Sequence, residues 1–182
     1  MSKDKYIPCL LKVFRDYGYD GATLAKISQA TGLGKASLYH HFPGGKDEMV
    51  TAVLNFLENC LAKKVLQALK SGEDPQTRFQ KMCKALDEIY QGGEAPCLFA
   101  ILLMGSARDM FHTKVQDLLF IWLEEMARVL IESGLDRQKA LERSQDAAIA
   151  IQGSLVLAQG LNDPSIFKRV IEQLPEKLVK LT

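Results

Sequence analysis

Thr23, Lys35, Ser37, Tyr39, His40 and Lys46 place hydrogen-bond donors close together in the chain. Lysine and serine side chains reach base edges or phosphate oxygens of a duplex, and tyrosine and histidine donate to phosphate. Thr23 and Lys46 stand at the expected starts of helices, where free backbone N–H groups already attract phosphate. Gly34 and Ala36 are small enough to let the backbone approach a major groove. This chemistry is that of holding a polyanion, not of making or breaking bonds. The sequence has no nucleophile elbow, phosphate loop or Glu-x-x-His pair, so an enzyme built on a helical bundle is disfavoured. Of three histidines, His40 and His41 lie in this one segment. As helix neighbours they point about 100° apart, which disfavours a metal pair. Cys9, Cys60, Cys83 and Cys97 form no C-x-x-C pair and have no histidine at ligand spacing. No metal and no cofactor are expected.

The elements that must position these donors are helices. Apolar residues recur at three- and four-residue spacing throughout, and strand-type alternation is nearly absent. The spacing predicts a first helix over 4–17, with Pro8 in its first turn and Gly18 as its stop. Two short helices follow, over 23–31 and 35–41, meeting at Thr31-Gly32-Leu33, a turn of the length and glycine content that a helix-turn-helix needs. Ile27, Leu33, Leu38 and Phe42 supply the apolar side that fixes both against the first helix. After the break at Pro43-Gly44-Gly45, helices are expected over 46–69, 75–90, 97–104, 114–133, 136–160 and 163–180, with Asp136 as an N-cap. The fold class is all-α, about nine helices: a helix-turn-helix head over 1–46 and a helical body over 47–182. A plain helical hairpin that binds no DNA is the alternative for 23–46, and a protein-binding helical adaptor the alternative for the whole chain.

The charge pattern agrees with the first reading. Residues 1–46 hold seven basic and three acidic side chains, a net of +4, while the whole chain carries +1. A basic head on an acidic body suits a protein that sets one end on a polyanion.

Tyr17-Gly18-Tyr19, Thr23, Ile27, Gly32, Lys35, Ser37-Leu38-Tyr39 and His41-Phe42 together resemble the N-terminal domain of TetR-family repressors. The turn Phe42-Pro43-Gly44-Gly45-Lys46 is one residue longer than the usual family turn. It is similar to that of the branch containing lincomycin-resistance repressors, as is the stretch from Gln152-Gly153-Ser154 to Leu174-Pro175. The resemblance implies that Thr23, Tyr39 and Lys46 hold phosphates while Lys35, Ala36, Ser37 and His40 face the groove. It also implies a ligand-responsive repressor that binds a palindromic operator in double-stranded DNA and is released by a small lipophilic effector. A basic N-terminal arm is weak here, with only Lys3 and Lys5.

In the body, Phe99, Met104, Phe111, Trp122 and Met126 suit a pocket for bulky apolar compounds, because methionine repacks around several shapes. Arg108 and Gln152, with His112 and Asn162, are the polar candidates to orient a ligand. Filling the core is the alternative role for each apolar residue. The resemblance implies a homodimer whose interface takes Ile151, Leu155 and Ala158 from one helix and Ile166, Val170 and Leu174 from the next. Cys97 follows a loop, and a redox or electrophile sensor there competes with an inert buried thiol. No signal peptide and no stretch long enough to span a bilayer is read, so a reducing cytoplasm with free thiols is expected.

Overall fold

The computed structural model describes residues 3–180, and every regular element among them is helical. A 3-10 turn, Lys3–Tyr6, leads into α1 (Ile7–Gly21), whose first turn holds Pro8 where no N–H is needed. α2 (Leu24–Thr31) and α3 (Lys35–His41) follow. α4 begins as Gly45–Cys60, continues through a π-helical stretch Leu61–Leu66 and closes with Gln67–Leu69. Then come α5 (Pro75–Ile89), α6 (Leu98–Met104), α7 (Arg108–Glu132), α8 (Arg137–Leu161) and α9 (Ser165–Val179). The all-α expectation of about nine helices holds among the described residues.

The helix ends follow side-chain chemistry. Thr23, Asp74 and Asp136 each accept a hydrogen bond from a backbone N–H three residues on, at 3.3, 3.0 and 3.0 Å. They satisfy donors that a helix start leaves free. Asn162, weighed above as a ligand anchor, instead closes α8 in the left-handed conformation at φ 50°. α7 starts six residues before the expected 114. The helix continues backwards because Phe111 lies four residues from Val115, and both are buried on one face.

Two compact units share the chain. The first gathers residues up to Asn59 with Leu98–Val115, and so includes 47–59 as well as the 1–46 segment read as a head. Phe14, Ile27, Leu38, Phe42 and Val50 are fully buried in its core, joined by Leu102 of α6 and Phe111 of α7. Each such side chain contributes about 1.5–3 kcal/mol of apolar burial.

The second unit comprises Cys60–Cys97 and the residues from Gln116 onward. In it α9 packs against both α5 and α8. The end of α4 is held there by two arginines. The Leu69 carbonyl accepts Arg78 Nε at 2.7 Å, Arg78 Nη2, and Arg128 Nη2 at 3.2 Å. Arg78 is buried, and its charge is matched by Glu132. The Arg78 guanidinium in turn holds the Glu132 carboxyl below the usual carboxylate range.

The π stretch has a geometric reason. Leu57, Leu61, Val65 and Leu69 are all buried, at intervals of four. In an ordinary helix each such step drifts about 40° around the axis. A π turn takes more residues per turn and cancels that drift, so the four stay on one side.

Gly93 shows how closely the second unit is packed. Its φ is +95°, and a Cβ there would stand 2.7 Å from Phe167 Cβ. Phe167 is fully buried and stacks edge-on against Tyr90 at 5.9 Å, so it has no room to retreat. Gly93→Ala is expected to destabilise the protein by at least about 2 kcal/mol, from strain plus overpacking. For a chain of this size thermal unfolding should move down by roughly 4 °C or more; an unchanged melting temperature would contradict the packing described.

Candidate nucleic-acid interface

α2 and α3 are joined by a turn whose bonds come from both backbone and side chains. Gly32 takes φ 70° and returns its N–H to the Ser28 carbonyl at 2.9 Å. Glycine adopts this left-handed conformation without a Cβ clash. The Thr31 hydroxyl donates to the Ile27 carbonyl at 2.7 Å and accepts from Leu33 N at 3.4 Å. The Ser28 hydroxyl donates to the Leu33 carbonyl. The turn is thereby fixed on both sides of Gly32.

α3 is divided by burial. Leu38 and, just past its end, Phe42 are fully buried. Gly34, Lys35, Ala36, Ser37, Tyr39 and His40 are all exposed on the other side. Thr23 is exposed too, and because its oxygen caps Lys26 N its hydroxyl proton remains free to donate outward. His41 is half-buried with its ring 5.2 Å from that of Tyr6. No group of three or more potential metal ligands occurs among the described residues.

The lysines of the head differ in how they are used. Lys12 pairs with Asp16 at 2.8 Å and Lys3 with Glu48 at 2.9 Å. Lys26 lies 3.7 Å over the Tyr17 ring and donates to the Gly21 carbonyl at 3.1 Å. Lys5 lies over Tyr6 at 4.7 Å. Lys46 donates to the Tyr19 carbonyl at 2.8 Å and sits 4.1 Å over its ring, so its ammonium bolts the start of α4 to the end of α1. Lys35, the first residue of α3, has no such intramolecular partner among the described residues. At the N-terminus of α4, Glu48 accepts from Gly44 N at 2.9 Å. That bond, and then Lys3, hold its carboxyl below the usual range.

An exposed, small and polar helix face on a buried anchor, behind a short glycine turn, is the geometry of a helix-turn-helix reading head. Residues 10–53 match the family model of bacterial regulatory proteins of the tetR family. Over 97% of this chain and 96% of the relative, the sequence is 24% identical to the HTH-type transcriptional regulator LmrA of Bacillus subtilis. Over 32% of this chain and 33% of the relative, it is 37% identical to IcaR of Staphylococcus aureus, the negative transcriptional regulator of the biofilm operon icaADBC. A TetR transcriptional regulator from Legionella pneumophila superposes with a TM-score of 0.81 at 19% identity, covering 97% of both chains. Residues 10–53 thus match the tetR family, and the whole chain resembles TetR-family transcriptional regulators in sequence and in fold. The likeness to LmrA agrees with the branch suggested by the Phe42–Lys46 turn.

The remaining candidate residues fall as follows. Phe99, Met104, Arg108 and Phe111 belong to the first compact unit, and Trp122, Met126 and Gln152 to the second. Phe99 is half-buried and Phe111 buried, whereas Met104 is 89% exposed and Arg108 is exposed, so these last two line no enclosed space within the chain. Trp122 and Met126 are buried. Gln152 Nε2 donates to the Tyr90 hydroxyl at 3.4 Å, and that hydroxyl donates to Cys97 Sγ at 3.5 Å. Cys97 is buried, and burial pushes the Cys83 thiol up to about 12.

The candidate dimer residues need correction. Ile151, Leu155, Ala158 and Leu174 are buried within the single chain, and only Ile166 and Val170 keep part of their surface. The exposed apolar face of α8 is its other side, with Ile149, Val156, Leu157 and Leu161 each more than half exposed. Ala150, Gly153 and Gly160 are exposed as well, and a Cβ on either glycine would meet open space. α8 is apolar on two sides, so periodicity alone does not tell which one faces inward. The recurrence of small and apolar residues at 149, 153, 156 and 160 was the signal for the second face.

The Tyr19 hydroxyl donates to the Asp47 carboxylate, and this bond pushes its pKa up to about 12. A folded-state pKa raised above the ordinary 10 means that the bond stabilises the fold fully below pH 10. That contribution is lost as pH rises towards 12. The stability difference between the natural protein and Tyr19→Phe, measured by urea unfolding, should therefore shrink between pH 10 and 12. A constant difference across that range would place the Tyr19 proton elsewhere.

Proposed function

We propose that the protein is a homodimeric repressor that grips a palindromic operator through α2 and α3 and lets go when a small lipophilic effector binds. The observation that carries the DNA-binding part is the exposed outer face of α3, led by Lys35 with no partner among the described residues. One such helix contacts only a few base pairs. A twofold pair of reading helices about 34–36 Å apart matches two half-sites one helical turn apart. Lys35, Ala36, Ser37 and His40 are assigned to the groove, with Gly34 allowing close approach, and Thr23 and Tyr39 to phosphates. Lys46 is assigned a supporting role, since its ammonium is engaged with Tyr19. A cytoplasmic location accompanies this reading, and no helix among the described residues is long and apolar enough to cross a membrane.

Base contacts carry sequence preference, and phosphate contacts do not. Selection from random duplexes should enrich a palindrome. Against it, Lys35→Ala should cost about 1–3 kcal/mol and relax preference at one position of each half-site. Tyr39→Phe and Lys46→Ala should weaken all sequences alike. Failure to enrich any sequence would refute the operator; a changed base preference in Lys46→Ala would refute the division of roles.

The homodimer is assigned to the exposed α8 stripe, flanked by the half-buried Ile166 and Val170 of α9. Gly153 and Gly160 leave room there for a partner helix to approach closely. A negative charge placed in a covered apolar face has no counter-charge and opposes its burial. Leu157→Glu should give a folded monomer in sedimentation, with operator affinity lost. Leu155→Glu, which buries its charge inside one chain, should unfold the second unit instead. A dimeric Leu157→Glu would remove the stripe from the interface.

Effector release requires a ligand that binds the DNA-competent and DNA-incompetent states unequally. A coupling of about 1–3 kcal/mol loosens operator binding five- to about 150-fold. The effector site is assigned to the body, around the buried Trp122 and Met126 of α7. α4 is the coupling element, because it runs from beside the reading helix to the arginine-held carbonyl of Leu69.

A further inference from the structure

Trp122 is the one tryptophan of the chain, and it is 4% exposed. Its indole Nε1 is buried and makes no hydrogen bond. Leu118 and Met126, one turn to either side on the same face of α7, are also buried and offer no acceptor comparable to a carbonyl oxygen. A buried donor without a partner is costly, and such groups are rare in folded proteins. The neighbouring charges of α7 are already used: Glu124 pairs with Arg137, and Glu125 with Lys70 and Arg128.

We propose that the Trp122 indole N–H is the specificity-determining donor of the effector site, and that it selects a neutral, mostly apolar ligand carrying a carbonyl oxygen. An indole N–H only donates, so it favours an acceptor over an amine or a hydroxyl proton. A carboxylate would bring a buried negative charge, and Lys70, Arg128 and Arg137, the cations beside Glu124 and Glu125 of α7, already pair with those glutamates. The flanking Leu118 and Met126 favour an apolar body, and the thioether side chain adapts to its outline. Filling the donor satisfies a group that the folded chain leaves unbonded, so the carbonyl gains more here than at a hydrated surface. The inference rests on the reading that the body binds an effector.

Matched probes test it. Fluorenone and fluorene have nearly the same outline and differ by one carbonyl. Each is titrated into the full-length protein, with binding followed by calorimetry, which needs no tryptophan. The one indole N–H cross-peak of an 15N-labelled sample is followed in parallel. The expected result is that fluorenone binds and moves that cross-peak downfield, while fluorene leaves its proton shift near the free value. In Trp122→Phe the preference for fluorenone over fluorene should fall about tenfold, a double difference that cancels the probes' unequal solubility. The proposal is overturned if neither probe binds, if both bind with the same preference in the two proteins, or if the cross-peak does not move. It is also overturned if the free protein already shows the indole proton bonded to an ordered water that fluorenone does not displace. The cross-peak measurement stands on the natural protein, so it decides the question even if Trp122→Phe fails to fold. Operator affinity measured with and without fluorenone separates the two readings. Carbonyl-selective binding that leaves DNA affinity unchanged upholds the Trp122 assignment and refutes effector release.

Discussion

Leu38 and Phe42 disappear completely into the core of the first unit, and the rest of the reading surface depends on that burial. α3 has seven residues, too few to stay helical in water by its own hydrogen bonds. Its shape is borrowed from the core that Leu38 and Phe42 share with Phe14, Ile27 and Val50. The Ser28 and Thr31 hydroxyls then fix the turn, and Lys46 and Asp47 tie α4 to Tyr19. None of these contacts uses the outer face of α3. Anchoring is thus given to one side of this short segment, and the other side is left exposed.

α4 is treated with similar care at both ends. Glu48 reaches back to the N–H of Gly44 at its start, and two guanidinium groups converge on the carbonyl of Leu69 at its finish. Helix ends leave four backbone groups each without partners, and these side chains answer some of them. Between the ends, the π stretch keeps Leu57, Leu61, Val65 and Leu69 aligned.

The reading head was legible because its signals are local. Glycine at 32, a capping threonine at 23 and the apolar set Ile27, Leu38 and Phe42 act within a few residues of each other. The cap at Asp136 was legible for the same reason. Four features were not. The π stretch was hidden because a four-residue apolar spacing looks like an ordinary amphipathic helix until its drift is followed over twelve residues. The start of α7 was placed late, since Gly105 to Thr113 reads as a broken region until Phe111 is seen to be buried. The inward face of α8 was misassigned because both of its sides are apolar, and only tertiary packing shows that Ile151 and Leu155 are taken by the chain's own core. The contact of Lys46, expected on a phosphate, with the Tyr19 carbonyl and ring was not legible because nothing in the sequence places them together.

The stripe of Ile149, Val156, Leu157 and Leu161 is aliphatic surface left bare in the single chain. An uncovered face of this kind is what holdase chaperones and proteases recognise, and what drives non-specific association. Four side chains on one helix thus make the isolated chain prone to association until something covers them.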